Sequence, residues 1–451
     1  MASIYAKKGC TGGADAVHLR TCPQHPCQLL TNSLPIRHGT RCSRSSVPTR
    51  HPSRPLRPLH VRILVTDPEQ RAALATARAL GRRGWHVTTL GERPGLAGVS
   101  RYTARHVALD MGVGHDPARL REAVAAAVRA GAIDVIVPVT DRASRALLGA
   151  DGALGAKVAG PSREAYLSAS DKAGLLATAH QCGLRVPVQH LLASPGNQLP
   201  PQVGSGWTVV KPAQSVAEVG GTMVNTTVRY AQGREALETL VTSYPAAAYP
   251  LLLQERIIGE GEGVFLLRRQ RRTVLMFAHR RVREKPPAGG VSTCRVSIVP
   301  PPDLTGRCEA LLDTLGYEGA AMVEFKRDAA TGEPVLMEIN ARLWGSVQLA
   351  VDAGVDFPSA LVQTTLGLPL DLPQAPQVGV RSVWELGELD HAWALVSKSA
   401  EALHLPPGVP AGWGAALRAL LDRAPGDVPE VFRWNDPRPF LAELSRWLRG
   451  R

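Results

Sequence analysis

The chain has 451 residues, 44% hydrophobic and 20% charged, enough for two or three domains and unlike a disordered or fibrous protein. No apolar run approaches the roughly 20 residues needed to cross a bilayer, so no membrane association is expected. The formal charge is +13, but residues 1–60 hold nine Lys or Arg against one acid, Asp15; the rest shows no basic helix or interleaved aromatics, which argues against a nucleic-acid partner.

Residues 1–59 are rich in Arg, Pro, Ser, His and Cys and show no helix or strand period. They lack the apolar core of a secretory signal and read as a disordered extension. Four of the seven cysteines lie there: Cys10, Cys22, Cys27 and Cys42. No second pair follows at zinc-finger spacing, so no zinc site is expected. Cys182, Cys294 and Cys308 are scattered, as reduced thiols of a cytoplasmic enzyme would be.

Order begins at Val61. Val61–Thr66 reads as a buried strand, Pro68–Arg83 as an Ala/Leu-periodic helix closed by Gly84, and His86–Leu90 as a second strand. A helix over about 117–130 and an apolar strand at 134–138 follow. Strands alternating with helices predict a Rossmann-like parallel sheet over 60–165. Its first turn, Thr66-Asp67-Pro68-Glu69, lacks the glycines that a dinucleotide pyrophosphate needs.

From 166 to 372 the pattern becomes α+β, with a helix over about 171–182. Strands are expected at 208–211, 223–228, 251–255, 263–268, 274–278, 320–326 and 335–340, and helices near 234–242, 304–315 and 346–353. Residues 373–451 read as a helical extension anchored by Trp384, Trp393, Trp413, Trp434 and Trp447.

The strands Met322–Lys326 and Val335–Asn340 flank a turn containing Thr331-Gly332. In a hairpin, Thr331 is equidistant from Glu324 and Glu338, so the two carboxylates face each other with Cβ atoms about 5 Å apart. Asn340 shares the face of Glu338, because strand side chains alternate. Two acids and an amide on one face repel without a cation, and oxygen ligands suit magnesium. Only eight of the 52 basic residues are lysine. Lys172 and Lys211 therefore stand out as compact charges fit for phosphate.

These motifs together resemble the ATP-grasp superfamily, which includes biotin carboxylase, D-alanine–D-alanine ligase and carbamoyl-phosphate synthetase. Glu324 and Glu338-Ile-Asn340-Ala-Arg342 resemble its magnesium-binding end. Ser170-Asp-Lys172 and Val209-Val-Lys211-Pro212 look like its two ATP lysines. Leu253-Gln-Glu255-Arg-Ile-Ile-Gly259-Glu-Gly-Glu262 is similar to the strand joining its two lobes. The resemblance implies a Rossmann-like domain, a two-lobed ATP-grasp body and a C-terminal extension. It also implies ATP and Mg²⁺ (Mn²⁺ as the alternative metal), with adenine near Glu255, ribose on Glu262, and metal on Glu324, Glu338 and Asn340.

Ala278–Lys285 resembles the family's basic phosphate-contacting strand. Arg281, Arg283 and Arg342 are the expected phosphate or carboxylate ligands. The lid region, 213–221, has only two glycines, with Ser215 as a phosphate donor. Phe277-Ala-His-Arg-Arg and Glu338-Ile-Asn resemble bacterial carboxylate–amine ligases, implying small carboxylate and amine substrates joined through an acyl phosphate. Bicarbonate, ammonia or a thiol as acceptor, a non-catalytic ATP-binding module, and a homodimer stay open. His279, Cys294 and the tail tryptophans are read as pocket or packing residues.

Overall fold

The computed structural model describes residues 60–371 and 375–450; the expectation for 1–59 lies outside them. The described chain begins with a parallel sheet. Its strands are β1 (Arg62–Thr66), β2 (His86–Gly91), β3 (Arg105–Ala108), β4 (Val135–Val137) and β5 (Lys157–Val158), in the order β3-β2-β1-β4-β5. Helix α1 (Arg71–Arg82) follows β1 and buries an Ala/Leu face that includes Ala73, Ala77 and Leu80. Helix α2 (Pro117–Gly131) starts at Asp116, whose carboxylate accepts from Ala118 N and Arg119 N, with Pro117 preset at the first helical position. After β4, Thr140 caps the short α3 (Asp141–Leu147) by accepting from Ala143 N.

Helix α4 (Lys172–Gln181), capped by Asp171, leads into a smaller sheet. That sheet holds β6 (Gln189–Leu192), β7 (Trp207–Pro212), β10 (Arg229–Gln232) and β11 (Leu251–Glu255), in the order β10-β7-β11-β6. Between β7 and β10 lies a separate hairpin of β8 (Val216–Val219) and β9 (Thr222–Asn225). The expected strand over 223–228 is thus only β9, which ends at Asn225, and the chain starts β10 in another sheet at Arg229. Composition does not mark the break, because each piece is only four residues long.

The largest sheet has the order β16-β15-β12-β13-β14-β17-β18. Its long strands are β12 (Gly259–Arg269), β13 (Arg272–Lys285), β14 (Val291–Ile298), β15 (Gly319–Asp328) and β16 (Pro334–Asn340). Val264, Leu266, Val323, Phe325 and Leu336 on one face pack with α4 and with α5 (Pro302–Thr314) in one core. Phe265, Phe277, Trp344 and Phe357 form the core of the other face. This alternation along β12 and β15 decides which polar side chains meet.

The C-terminal region is more than a helical extension. β17 (Arg381–Val383) pairs antiparallel with β14, and β18 (Val428–Pro429) pairs parallel with β17. Strands of three and two residues carry no readable period, but they cover the open edge of β14. Helices α6 (Glu385–Ser397) and α7 (Arg438–Arg449) flank a further helix over Trp413–Leu421. Trp393, Trp413 and Trp434 are 57%, 78% and 90% exposed, so these three are not core anchors. The region is pinned by charge instead. Glu430, 2% exposed, pairs with Arg71 and, at 2.6 Å, with Arg295, while Arg78 donates to Asp436 at 2.9 Å.

Candidate active site

β15 and β16 form the expected hairpin, and Glu324 lies directly opposite Glu338 in its register. Met322 pairs with Asn340, so Asn340 and both carboxylates share one face. Asn340 Nδ2 lies 3.4 Å from Glu324 Oε2. A bulge follows Glu324, so that Phe325 opposes Leu336 and the core face resumes.

Cations surround the pair. Lys172, 6% exposed at the start of α4, has Nζ 3.6 Å from Glu338 Oε2 and donates to Ser215 Oγ at 2.8 Å. Burial opposes ionisation of Glu338, but Lys172 and Lys211 outweigh it and hold its pKa below the usual carboxylate value. Burial lowers the pKa of Lys211 despite the nearby Glu338. Its ammonium makes no hydrogen bond or ion pair among the described residues and faces the carboxylates from the other lobe.

Arg281 holds the opposite carboxylate. Its Nη2 is 2.6 Å from Glu324 Oε2, and its Nη1 is 2.8 Å from Glu284 Oε1. Gly261 makes room for it, because a Cβ there would come within 2.6 Å of Arg281 Cδ. Burial raises the pKa of Glu324, with Arg281 opposing that shift and Glu338 adding to it. The two facing carboxylates are therefore unequal: Glu338 is held ionised by lysines, and Glu324 depends on Arg281.

Arg342 reaches the far wall, where its Nη2 and Nε donate to Asp141 Oδ2 at 2.9 and 3.0 Å. Asp141 begins α3, and Tyr166 donates its hydroxyl to the Asp141 carbonyl at 3.0 Å. Asp141, Tyr166, Lys172, Ser215, Glu338 and Asn340 line one cleft, closed to about 20 Å³, room for about one water. The β8–β9 hairpin lies over it, tied down by the Lys172–Ser215 bond.

Three expected site residues do not join the carboxylate cluster. Glu262 opposes Phe325 while Gly263 opposes Glu324, which puts the Glu262 carboxylate on the other face of the sheet. There Arg327 grips it bidentately at 2.6 and 2.7 Å. Arg283 is carried away by bulges between 281 and 284. It binds Glu388 on α6 at 2.6 Å and also Asp422, so it fastens the C-terminal region to the sheet. Glu255, at the end of β11 where the chain crosses between the two sheets, accepts from Val188 N at 2.9 Å.

Sequence reasoning missed Asp141, Tyr166 and Glu284. Asp141 had one signal: it follows the carboxyl end of a parallel strand, where α/β sheets place ligands. The other two are brought in only by tertiary packing.

Paired carboxylates and an amide oxygen suit a hard cation such as Mg²⁺ better than a thiolate- or imidazole-seeking metal. Among the described residues no group of three or more His, Cys, Asp or Glu is placed to hold a metal ion, so the candidate set is the two carboxylates with the amide of Asn340. No described helix is long and apolar enough to cross a membrane.

Residues 248–387 match the family model described as ATP-grasp in the biosynthetic pathway with Ter operon. No curated protein matches the sequence. The fold is similar to that of L-amino acid ligase from Bacillus licheniformis, at 17% identity and TM-score 0.54, over 70% of this chain and 75% of that one. It is similar to biotin carboxylase from Campylobacter jejuni in its β-γ-ATP complex, at 17% identity and TM-score 0.56, over 71% and 74%. A third likeness is the biotin carboxylase domain of Hydrogenobacter thermophilus 2-oxoglutarate carboxylase with MgADP and bicarbonate, at 13% identity and TM-score 0.56, over 71% and 73%. Residues 248–387 thus match an ATP-grasp family model, and the fold over about 70% of the chain is similar to that of these ligase and carboxylase structures.

Proposed function

We propose that this protein is an ATP- and Mg²⁺-dependent, ADP-forming carboxylate–amine ligase. The observation that carries the reading is the in-register pair Glu324 and Glu338 with Asn340, ringed by Lys172, Lys211 and Arg281. Glu324, Glu338 and Asn340 would hold Mg²⁺, which when bound offsets the charge of the nucleotide phosphates. Lys211, unpaired and lowered by burial, is ready to take a phosphate oxygen. Lys172 and Ser215 would release each other to do the same, which requires the β8–β9 hairpin to lift from the closed cleft. Glu255 stands where the base would meet the crossing between sheets. Glu262 and Arg283 are given no part.

In the reaction, an oxygen of the substrate carboxylate attacks the γ-phosphorus. The bond from that phosphorus to the bridging oxygen breaks, and ADP leaves. The amine nitrogen then attacks the acyl carbon, phosphate departs with the bonding pair, and the amine loses a proton. Arg281 and Arg342 would orient the carboxylate and stabilise charge on the transferred group. No side chain becomes covalently attached, so catalysis rests on placement and fixed charge.

The domains under this reading are 60–165, 166–372 and 373–451, with β17 and β18 joining the last to the central body. The three cysteines at 182, 294 and 308 are unpaired, in keeping with a cytoplasmic setting. The test is ADP release with pairs of amino acids, each pair compared with its single members. Release that needs both members supports the ligase. Release stimulated by bicarbonate, ammonia or a thiol moves the acceptor to that class, and ATP binding without any ADP release refutes catalysis.

A further inference from the structure

A second cavity, about 540 Å³, lies at the carboxyl ends of β1, β2 and β4 and is walled on its open side by α7. It shares no lining residue with the cleft around Lys172 and Glu338. The parallel sheet runs outward in two directions from the junction of β1 and β4, and open α/β sheets bind ligands at such a switch point. Its size is that of a small-molecule site.

The floor is constructed with care. Thr66, 2% exposed, accepts from Val139 N at 3.1 Å and donates to Asp67 Oδ2 at 2.5 Å, fixing the Asp67 carboxylate. Asp67 has φ of +53°, a conformation costly for a residue other than glycine and frequent at functional positions. The loop after β2 closes against the loop after β1 through Gly91 and Gly95. A Cβ on Gly95 would lie 2.4 Å from Glu69 N, and one on Gly91 2.5 Å from Pro68 Cδ.

The lining is mixed in chemistry. Asp67 and Glu69 supply acid, Leu90, Val99 and Leu120 apolar surface, and Arg93, Arg142 and Arg446 guanidinium groups, with Arg142 near enough to Asp67 to act on its carboxylate. The guanidinium groups of Arg93 and Arg446 have no hydrogen-bonded or ion-paired partner among the described residues. Burial raises the Asp67 pKa, the Thr66 hydroxyl opposing it; a cation beside this carboxylate would favour its charged form.

We propose that this cavity binds a free zwitterionic amino acid with an apolar side chain. The ammonium meets Asp67, the side chain lies on the apolar wall, and the carboxylate meets the arginines. The inference concerns binding alone and holds whether or not the ligase reading does. The site also touches the nucleotide side of the molecule. Arg142 follows Asp141 on α3 and contacts the His115 ring at 2.7 Å, and that ring contacts Met223 O on β9 at 3.2 Å.

The test is binding to the full chain without nucleotide, by ligand-observed NMR and calorimetry, against each standard L-amino acid. An apolar amino acid should bind, and its deaminated and decarboxylated analogues should each bind about tenfold or more weakly, since each loses a charge-assisted contact. Asp67→Asn, which suits the left-handed backbone, and Arg446→Ala should each weaken binding about tenfold at an unchanged melting temperature. ATP binding by the same variants should match the unaltered chain, separating this site from the nucleotide site. Absence of binding by every amino acid, or affinity unchanged in both variants, overturns the proposal.

Discussion

Glu338→Gln tests the site most directly, and the structure changes the sign of its expected effect on stability. From sequence, two facing carboxylates repel, so removing one should leave the apoprotein level or stabilised. In the structure Glu338 lies 3.6 Å from Lys172, with Lys211 also holding its pKa down. At that distance and an effective dielectric constant near 20, one such pair gains about 4–5 kcal/mol before desolvation. The Glu338 side chain is 34% exposed, so screening and desolvation reduce the net loss to on the order of 1 kcal/mol. Glu338→Gln should therefore melt lower. Under the proposed reading turnover should fall about 100-fold or more, because the metal contact would supply several kcal/mol of transition-state stabilisation. Calorimetric melting, with and without magnesium-ATP, and ADP release settle both points on one variant. A raised melting temperature would refute the lysine argument, and unchanged ADP release by the folded variant would refute the metal assignment.

Lys211→Ala should weaken ATP binding, and Lys211→Arg should restore only part of it, because a planar fork replaces a compact ammonium; equal affinity for Lys211→Ala by calorimetry would remove this lysine from the site. Arg283→Met leaves Glu388, 1% exposed, without its guanidinium and should cost about 3–5 kcal/mol. Unfolding would report that loss, while ATP binding by the folded fraction should persist; a phosphate role would give the reverse. Burial pushes Glu443 up to about 7, against the hydrogen bond from Trp384 Nε1 at 3.0 Å. The unfolded chain ionises this carboxyl near 4.3, so its contribution to stability falls as pH rises from about 4 to about 7 and then levels. Glu443→Gln keeps an acceptor for Trp384 and avoids this loss, so it should stabilise the chain at pH 8 by up to about 4 kcal/mol and change little near pH 4. Equal melting curves at pH 8 would count against it.

The sequence by itself determined what depends on neighbours along the chain. The β–α alternation of 61–158 shows as apolar runs and caps such as Asp116-Pro117, local features set by backbone geometry. The pairing of Glu324 with Glu338 was legible because one turn fixes the register of a hairpin. The lysines at 172 and 211 were legible through scarcity and motif, and the structure brings both to the carboxylates.

Tertiary structure alone decided the rest. Which face Glu262 takes depends on the register of β12 against β15, strands separated by some fifty residues, and a change of one would reverse it. Two bulges send Arg281 to Glu324 and Arg283 to Glu388, although their spacing in sequence implied a common face. Asp141 joins the site through Arg342, two hundred and one residues away. β17 and β18 are too short to show a period and exist because the edge of β14 offers unpaired backbone groups. Long-range pairing selects these outcomes from local conformations that the sequence leaves nearly equal in energy, so only the folded chain shows which was taken.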